Sequence, residues 1–234
     1  MGGCQSAEPS SAEEAAYRNP AFEDVEEKQL KNVNSKSKKP VVDAKLNIHP
    51  TPPLNHKNSQ LGFKDLVSLP PGIDQAEWLA TNTIAFFKMV NVFYGAMSEF
   101  CTARSCPTAS APGDRHYTWL DDNGKKVKCT APLYFDYVTS YIQDLLTDEN
   151  VFPTKKGCKF PNGFIFLIQK IFLLLLHVFA HLYWAHYHQV LDMEMHTHLH
   201  TLLTHFMTFS REFKLLEPQD TSALEKLIAE LPKP

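Results

Sequence analysis

FIFLIQKIFLLLLHVFAHLYWAHYH, residues 164–188, decides how the rest of the chain is read. Its apolar part, roughly 20 residues, is long enough to cross a bilayer. Gln169, Lys170, His177 and His181 interrupt it, however, and each polar side chain at bilayer depth is costly. The central helix of a soluble bundle is apolar all round as well. The stretch therefore predicts a buried helix over about residues 164–191, carrying His177, His181, His186 and His188 near its end.

The segments around it follow by period. In LPPGIDQAEWLATNTIAFFKMVNVFYGAMSEF, residues 69–100, Leu79, Phe86, Val90, Phe93 and Met97 fall on one helical stripe, and Asp74 with Glu77 marks its start. Packing in the core accounts for that stripe. HYTWLDDNGKKVKCT, residues 116–130, alternates Tyr117 with Trp119 and Val127 with Cys129 about a DNG turn signal, which predicts a small β-hairpin. Thr130 and Pro132 open another helix, and VFPTKKGCKFPNG, residues 151–163, is a loop. A helix over about residues 194–213 and a last one opened by a Ser222/Glu225 capping box complete the chain. The fold class expected is all-α, a helical bundle around a long central apolar helix with a β-hairpin insertion.

Residues 1–60 differ in texture. FEDVEE, KQLKNVNSKSKKP and NIHPTPPLNHKN are polar and proline-punctuated with no apolar period, so a disordered or loosely attached tail is expected ahead of a helical domain over 61–234. The tail opens MGGCQS, which fits the M-G-x-x-x-[ST] myristoylation pattern with Gly2 as acceptor and Cys4 placed for palmitoylation. One myristoyl chain binds membrane marginally, so the second signal matters. The lysines between Lys28 and Lys39 would add attraction to acidic lipid, which FEDVEE partly cancels.

The formal charge of −3 gives no basis for phosphate-driven binding, and no nucleic-acid partner is expected. Five cysteines, Cys4, Cys101, Cys106, Cys129 and Cys158, are odd in number and irregular in spacing, and no signal peptide precedes them. A reducing compartment, the cytoplasm, is expected. There a pair such as Cys101 and Cys106 in EFCTARSCPT points to a metal or to two buried free thiols. The histidine run favours metal, since zinc takes two thiolates and two imidazoles in a closed tetrahedron. Spacing does not choose the histidines. His177 and His181 share a helix face, whereas His181 and His186 lie roughly 140° apart on an ideal helix and would need a local distortion.

The sequence carries no P-loop, no GxSxG elbow and no glycine-rich dinucleotide turn. Cys158, between lysines in KKGCKF, is a weak nucleophile candidate without a histidine beside it. A binding module is the better class, and a non-catalytic protein is expected.

LPPGIDQAEWLATNTIAFFKMVNVFYGAMSEFCTARSCP, CTAPLYFDYV, DENVFPTK, FAHLYWAHY and HFMTFSREFKLL occur in this order, and the chain over about residues 63–231 resembles the Mob kinase-activator (Mob1/phocein) family. GKKVKCTAP and YWAH look most like its type 2 branch. The resemblance implies one structural zinc ion held by Cys101, Cys106, His181 and His186, overriding the spacing preference for His177. It also implies an adaptor that binds the basic N-terminal regulatory segment of an NDR-class serine/threonine kinase, in the cytoplasm and with the nucleus a second compartment open to it. The family's contact positions read here as Asp74, Glu77, Trp78, Thr81, Phe152, Pro153, Lys155 and His205. Ile73 stands where some relatives carry an acid. The basic trio that receives phosphothreonine in the type 1 branch is replaced by Leu173, Leu174 and His177, so phosphopeptide binding of that kind is not expected. The competing expectations are a membrane-anchored scaffold for another partner and an enzyme centred on zinc or Cys158.

Overall fold

Asp74 begins the first long helix as its side chain suggests: Oδ1 accepts from the amides of Ala76 and Glu77 at 2.9 and 3.2 Å, filling the donors left open at a helix start. The computed structural model describes residues 63–225 apart from Asp122 and Lys156, together with Ala229. The expected tail over 1–60, with Gly2 and Cys4, lies outside the described residues. The elements in order are α1 (Phe63–Val67), α2 (Gln75–Ala96), β1 (Ala109–Ala111), β2 (Arg115–Tyr117), β3 (Trp119–Leu120) and β4 (Lys126–Val127). They continue as α3 (Ala131–Thr147), α4 (Phe164–Ala185), α5 (Tyr187–Asp192), α6 (His196–Glu212) and α7 (Pro218–Thr221), with a 3₁₀ turn over Ser222–Leu224. The described chain is mostly helical.

The apolar run becomes α4, which packs against α2, α3, α5 and β1. It is long and apolar enough to cross a membrane, and most of it is buried within the protein. Gly163 precedes it at φ 84°, a conformation glycine adopts without strain. The stripe of α2 faces the core, with Leu79, Phe86, Val90 and Met97 buried and Phe93 half-buried. Phe86 meets Phe172 of α4 at 5.7 Å and Phe206 and Phe209 of α6 at 5.5 Å each, all edge-on. Such pairs are worth about 0.5–1.5 kcal/mol each beyond burial, so this phenylalanine knot locks three helices at one point. Buried Thr83 and Thr208 satisfy their hydroxyls within their own helices, on Leu79 O and Thr204 O.

Three sequence expectations change. The helix expected to reach residue 191 breaks at His186, which lies at φ −126° between α4 and α5. The single expected hairpin is one of two: β3 pairs with β4 around the DNG turn, and β1 pairs with β2 just before it. The C-terminal capping box is formed by Glu217 and Asp220, whose Oδ2 accepts from the Glu217 amide at 2.9 Å. Ser222 donates instead to Gln219 O and accepts from Arg115 of β2 at 2.7 Å.

The hairpins lay an aromatic sheet over α3 and α4. The Tyr117 ring stacks on His177 at 3.7 Å, and Nδ1 of His177 shares a 2.7 Å hydrogen bond with the Tyr134 hydroxyl. Burial lowers the pKa of His177 from 6.5 to about 4. The folded chain therefore holds this imidazole neutral while the unfolded chain protonates it, so stability should be complete above pH 6.5 and fall as pH drops toward 4. The loss from this group is at most about 3 kcal/mol. Denaturant melts across that window should show the slope, and His177→Phe should flatten it.

Candidate metal centre

The end of α2 turns back on itself to make a thiol knuckle. The amide of Cys101 donates to Met97 O at 2.9 Å and that of Cys106 to Thr102 O at 2.8 Å. Ser105 braces the turn, donating its hydroxyl to Phe100 O at 2.6 Å while accepting from the Thr102 amide. Both Sγ atoms thereby face α4, and Cys101 and Cys106 are buried.

Each sulfur then meets an imidazole 80 residues away: Cys101 Sγ lies 3.5 Å from His181 Nε2, and Cys106 Sγ lies 3.5 Å from His186 Nε2. The four ligand atoms all lie within 4.8 Å of one another. A tetrahedral zinc with bonds of ~2.3 Å to sulfur and ~2.05 Å to nitrogen would place S and N about 3.6 Å apart. The cluster fits that geometry, so these buried residues can hold a metal ion between them.

The break after Ala185 makes this possible. On an unbroken helix His181 and His186 point well apart. Here His186 leaves helical geometry while its amide still donates to Leu182 O at 3.1 Å, and the two rings come to 5.1 Å. His177, the better partner by spacing alone, is turned to Tyr134 and Tyr117 instead.

The shell around the ligands fixes their protons. His181 Nδ1 lies 2.9 Å from Ser110 O in β1, and a carbonyl can only accept. Nδ1 therefore carries the hydrogen and Nε2 is left as a ligand lone pair. The Tyr94 hydroxyl donates to Cys101 Sγ at 3.7 Å and is kept protonated by burial and by the cysteines beside it. The hydrogen bond between the two sulfurs, with His181 and His186 alongside, holds Cys106 well below the ordinary thiol range and raises Cys101. One negative sulfur is thus favoured before any cation enters, and a divalent ion would take both as thiolates. An ion held by all four would have no coordination position left for a reacting water. Ser110 and Tyr94 were not picked out from the sequence. PGD, residues 112–114, is the turn signal that could have revealed the end of β1, which carries Ser110.

The expected partner-contact residues come from three places. On the first turns of α2, Asp74, Glu77 and Thr81 are exposed and Trp78 is half-buried, its indole N–H donating to Val67 O at 3.2 Å. In the loop before α4, Phe152 is 4% exposed against the ring of Phe164 at 5.2 Å, so it anchors the loop and offers little surface itself. Pro153 is half-buried, and Lys155 is exposed beside Glu149 at 3.1 Å. His205 of α6 is half-buried edge-on to Phe86 at 4.9 Å.

Residues 55–224 match the model of the Mob1/phocein family. The chain is 52% identical over 165 residues to MOB kinase activator 2 of Homo sapiens, covering 70% of this chain and 69% of that protein. It is 51% identical over 165 residues to MOB kinase activator 2 of Mus musculus, covering 70% of each. To the maintenance of ploidy protein mob2 of Schizosaccharomyces pombe it is 41% identical over 169 residues, 72% of this chain and 69% of that one.

Chelation of the purified protein, or Cys101→Ser, should lower the melting temperature by about 10 °C or more, since a lost ligand costs several kcal/mol at about 2–4 °C per kcal/mol. Differential scanning calorimetry paired with elemental analysis checks this. Unchanged melting in a metal-free preparation would count against a structural ion.

Proposed function

The chain belongs to the Mob1/phocein family, and from that premise we propose a zinc-stapled, non-catalytic adaptor that regulates a serine/threonine kinase of the NDR class by gripping its basic N-terminal regulatory segment. The observation that carries the proposal is the 52% identity over 165 residues to a protein named MOB kinase activator 2, alongside a family match over residues 55–224 that takes in all four residues of the cluster. Zinc is the ion proposed because two thiolates with two imidazoles in a tetrahedron suit it.

Exposed Asp74 and Glu77 put negative charge at the start of α2, and half-buried Trp78 beside them offers an aromatic anchor. That is the chemistry by which a groove takes a basic amphipathic helix. Ile73, 44% exposed, contributes no charge there, which should narrow the choice of arginine-rich partner. Type 1 phosphothreonine recognition has no support in this chain: Leu174 is buried, Leu173 is half-buried, and His177 is neutral and engaged with Tyr134. The proposed location is the cytoplasm, with nuclear access, and with membrane anchoring where Gly2 and Cys4 carry acyl chains.

Titration calorimetry against purified NDR-class regulatory segments tests the proposal. The wild type should bind, and Trp78→Ala or Glu77→Lys should weaken binding at least tenfold, as loss of a central anchor or a charge reversal does. Failure to bind any such segment would remove the kinase assignment. Anchoring is tested separately by metabolic labelling with a myristate analogue: label is expected on the wild type and none on Gly2→Ala.

A further inference from the structure

The two imidazoles of the cluster are held unequally. His181 has Ser110 O as acceptor for its Nδ1–H. His186, 2% exposed, has no partner at Nδ1, and that atom is buried. Its Nε2 is turned to Cys106 Sγ, so when Nε2 is a ligand Nδ1 must carry a hydrogen that needs an acceptor. A buried donor left open is destabilising, because it has lost its hydrogen bond to water without gaining another.

A second open atom lies close by in the chain, with the opposite chemistry. Gln189 Oε1 is buried and likewise has no partner. His186 is the N-cap of α5 and Gln189 is the third residue of that helix, counting Tyr187 as the first. A glutamine at this place is the side chain that reaches back over the residue at the cap. The usual target, the cap amide, already donates to Leu182 O. The open Nδ1 of His186 is a donor that matches Gln189 Oε1, and both residues line one open pocket of about 340 Å³ with Trp184 and Thr108. Neither open atom is exposed to solvent, so bulk water satisfies neither.

We propose that Gln189 is the positioning residue of the metal centre, its Oε1 accepting the Nδ1–H of His186 when the ion is bound. The side chain fixes the ring's tautomer and orientation for that half of the cluster as Ser110 O does for the other. The inference rests on the metal assignment above, and the experiment separates the two.

Wild type, Gln189→Leu and Gln189→Glu are loaded with zinc, and their affinity is read by competition with a chromophoric chelator. The imidazole N–H resonances are followed for solvent exchange at the same time. Gln189→Leu should weaken zinc at least tenfold and speed exchange of the His186 Nδ1–H, with the His181 Nδ1–H unchanged, while Gln189→Glu keeps an acceptor and should hold affinity within a few-fold. Loss of packing alone would move neither the exchange of one chosen ring proton nor the leucine–glutamate difference. Equal affinity and equal exchange in wild type and Gln189→Leu would overturn the proposal. Should the leucine variant fail to fold, a crystal structure of the zinc-loaded wild type decides: Gln189 Oε1 within hydrogen-bond distance of His186 Nδ1 supports it, and any other acceptor there overturns it. A wild type that holds no zinc overturns the metal assignment as well, whereas zinc held equally by both proteins overturns the role of Gln189 alone.

Discussion

Bringing two sulfurs and two ring nitrogens from stretches 80 residues apart within 4.8 Å is the constraint on which the rest of the structure turns. Two distant segments joined at one point lose much of the conformational freedom that folding must otherwise overcome. To satisfy it, α2 must end in a tight knuckle and the helical run from Phe164 must break at His186. β1 must also lie close enough to α4 to lend a carbonyl. Each feature departs from regular geometry, and each departure places one ligand atom. Irregular backbone is tolerated where surrounding contacts determine it, and the Ser105 hydrogen bonds and the His186 amide bond to Leu182 O supply those contacts here.

The phenylalanine knot of α2, α4 and α6 does complementary work farther from the cluster. Phe86, Phe172, Phe206 and Phe209 need nothing polar and set the relative position of three helices by burial and ring geometry. The cluster then joins the other end of α2 to the end of α4. A helix pair held at two separated points resists both rotation and splaying. The exposed acids at the start of α2 thus sit on a helix whose far end is fixed at the knuckle.

The helices were legible because burial imposes a period on sequence: Leu79, Phe86, Val90 and Met97 recur at helical steps, and Asp74 announces its cap. The DNG hairpin was legible from its turn. The ligands were legible as residue types, and His181 with His186 came from the family resemblance, since spacing favoured His177. Spacing fails there because it presumes an unbroken helix, and no residue between Ala185 and Tyr187 is a glycine or proline that would announce a break. β1 escaped notice for a related reason. Ala109, Ser110 and Ala111 are small, three residues are too few for their alternation to stand out, and what they supply is a backbone carbonyl, which no side-chain pattern records. Phe152, which the resemblance offers as a contact position, is buried, and a Phe-Pro pair in a loop looks alike whether it faces a partner or pins the loop down.

The face of α4 that carries Leu173 and His177 shows why one helix surface cannot serve two purposes. Phosphate recognition needs exposed, fixed cations and a wet rim. His177 instead lies between Tyr117 and Tyr134, and Trp119 packs at 5.6 Å from Tyr137 and 6.0 Å from Tyr141 to extend the aromatic layer. Lys170, the one cation on α4, sits 4.4 Å from the Tyr141 ring centroid. Its charge is thus engaged with an aromatic face, an interaction worth about 0.5–1 kcal/mol at an exposed site. Placing an arginine at residue 177 would remove the ring that Tyr117 stacks on and put a charge beneath the hairpin. The residues that seat β2 on α4 are therefore ones that a cation at residue 177 would displace.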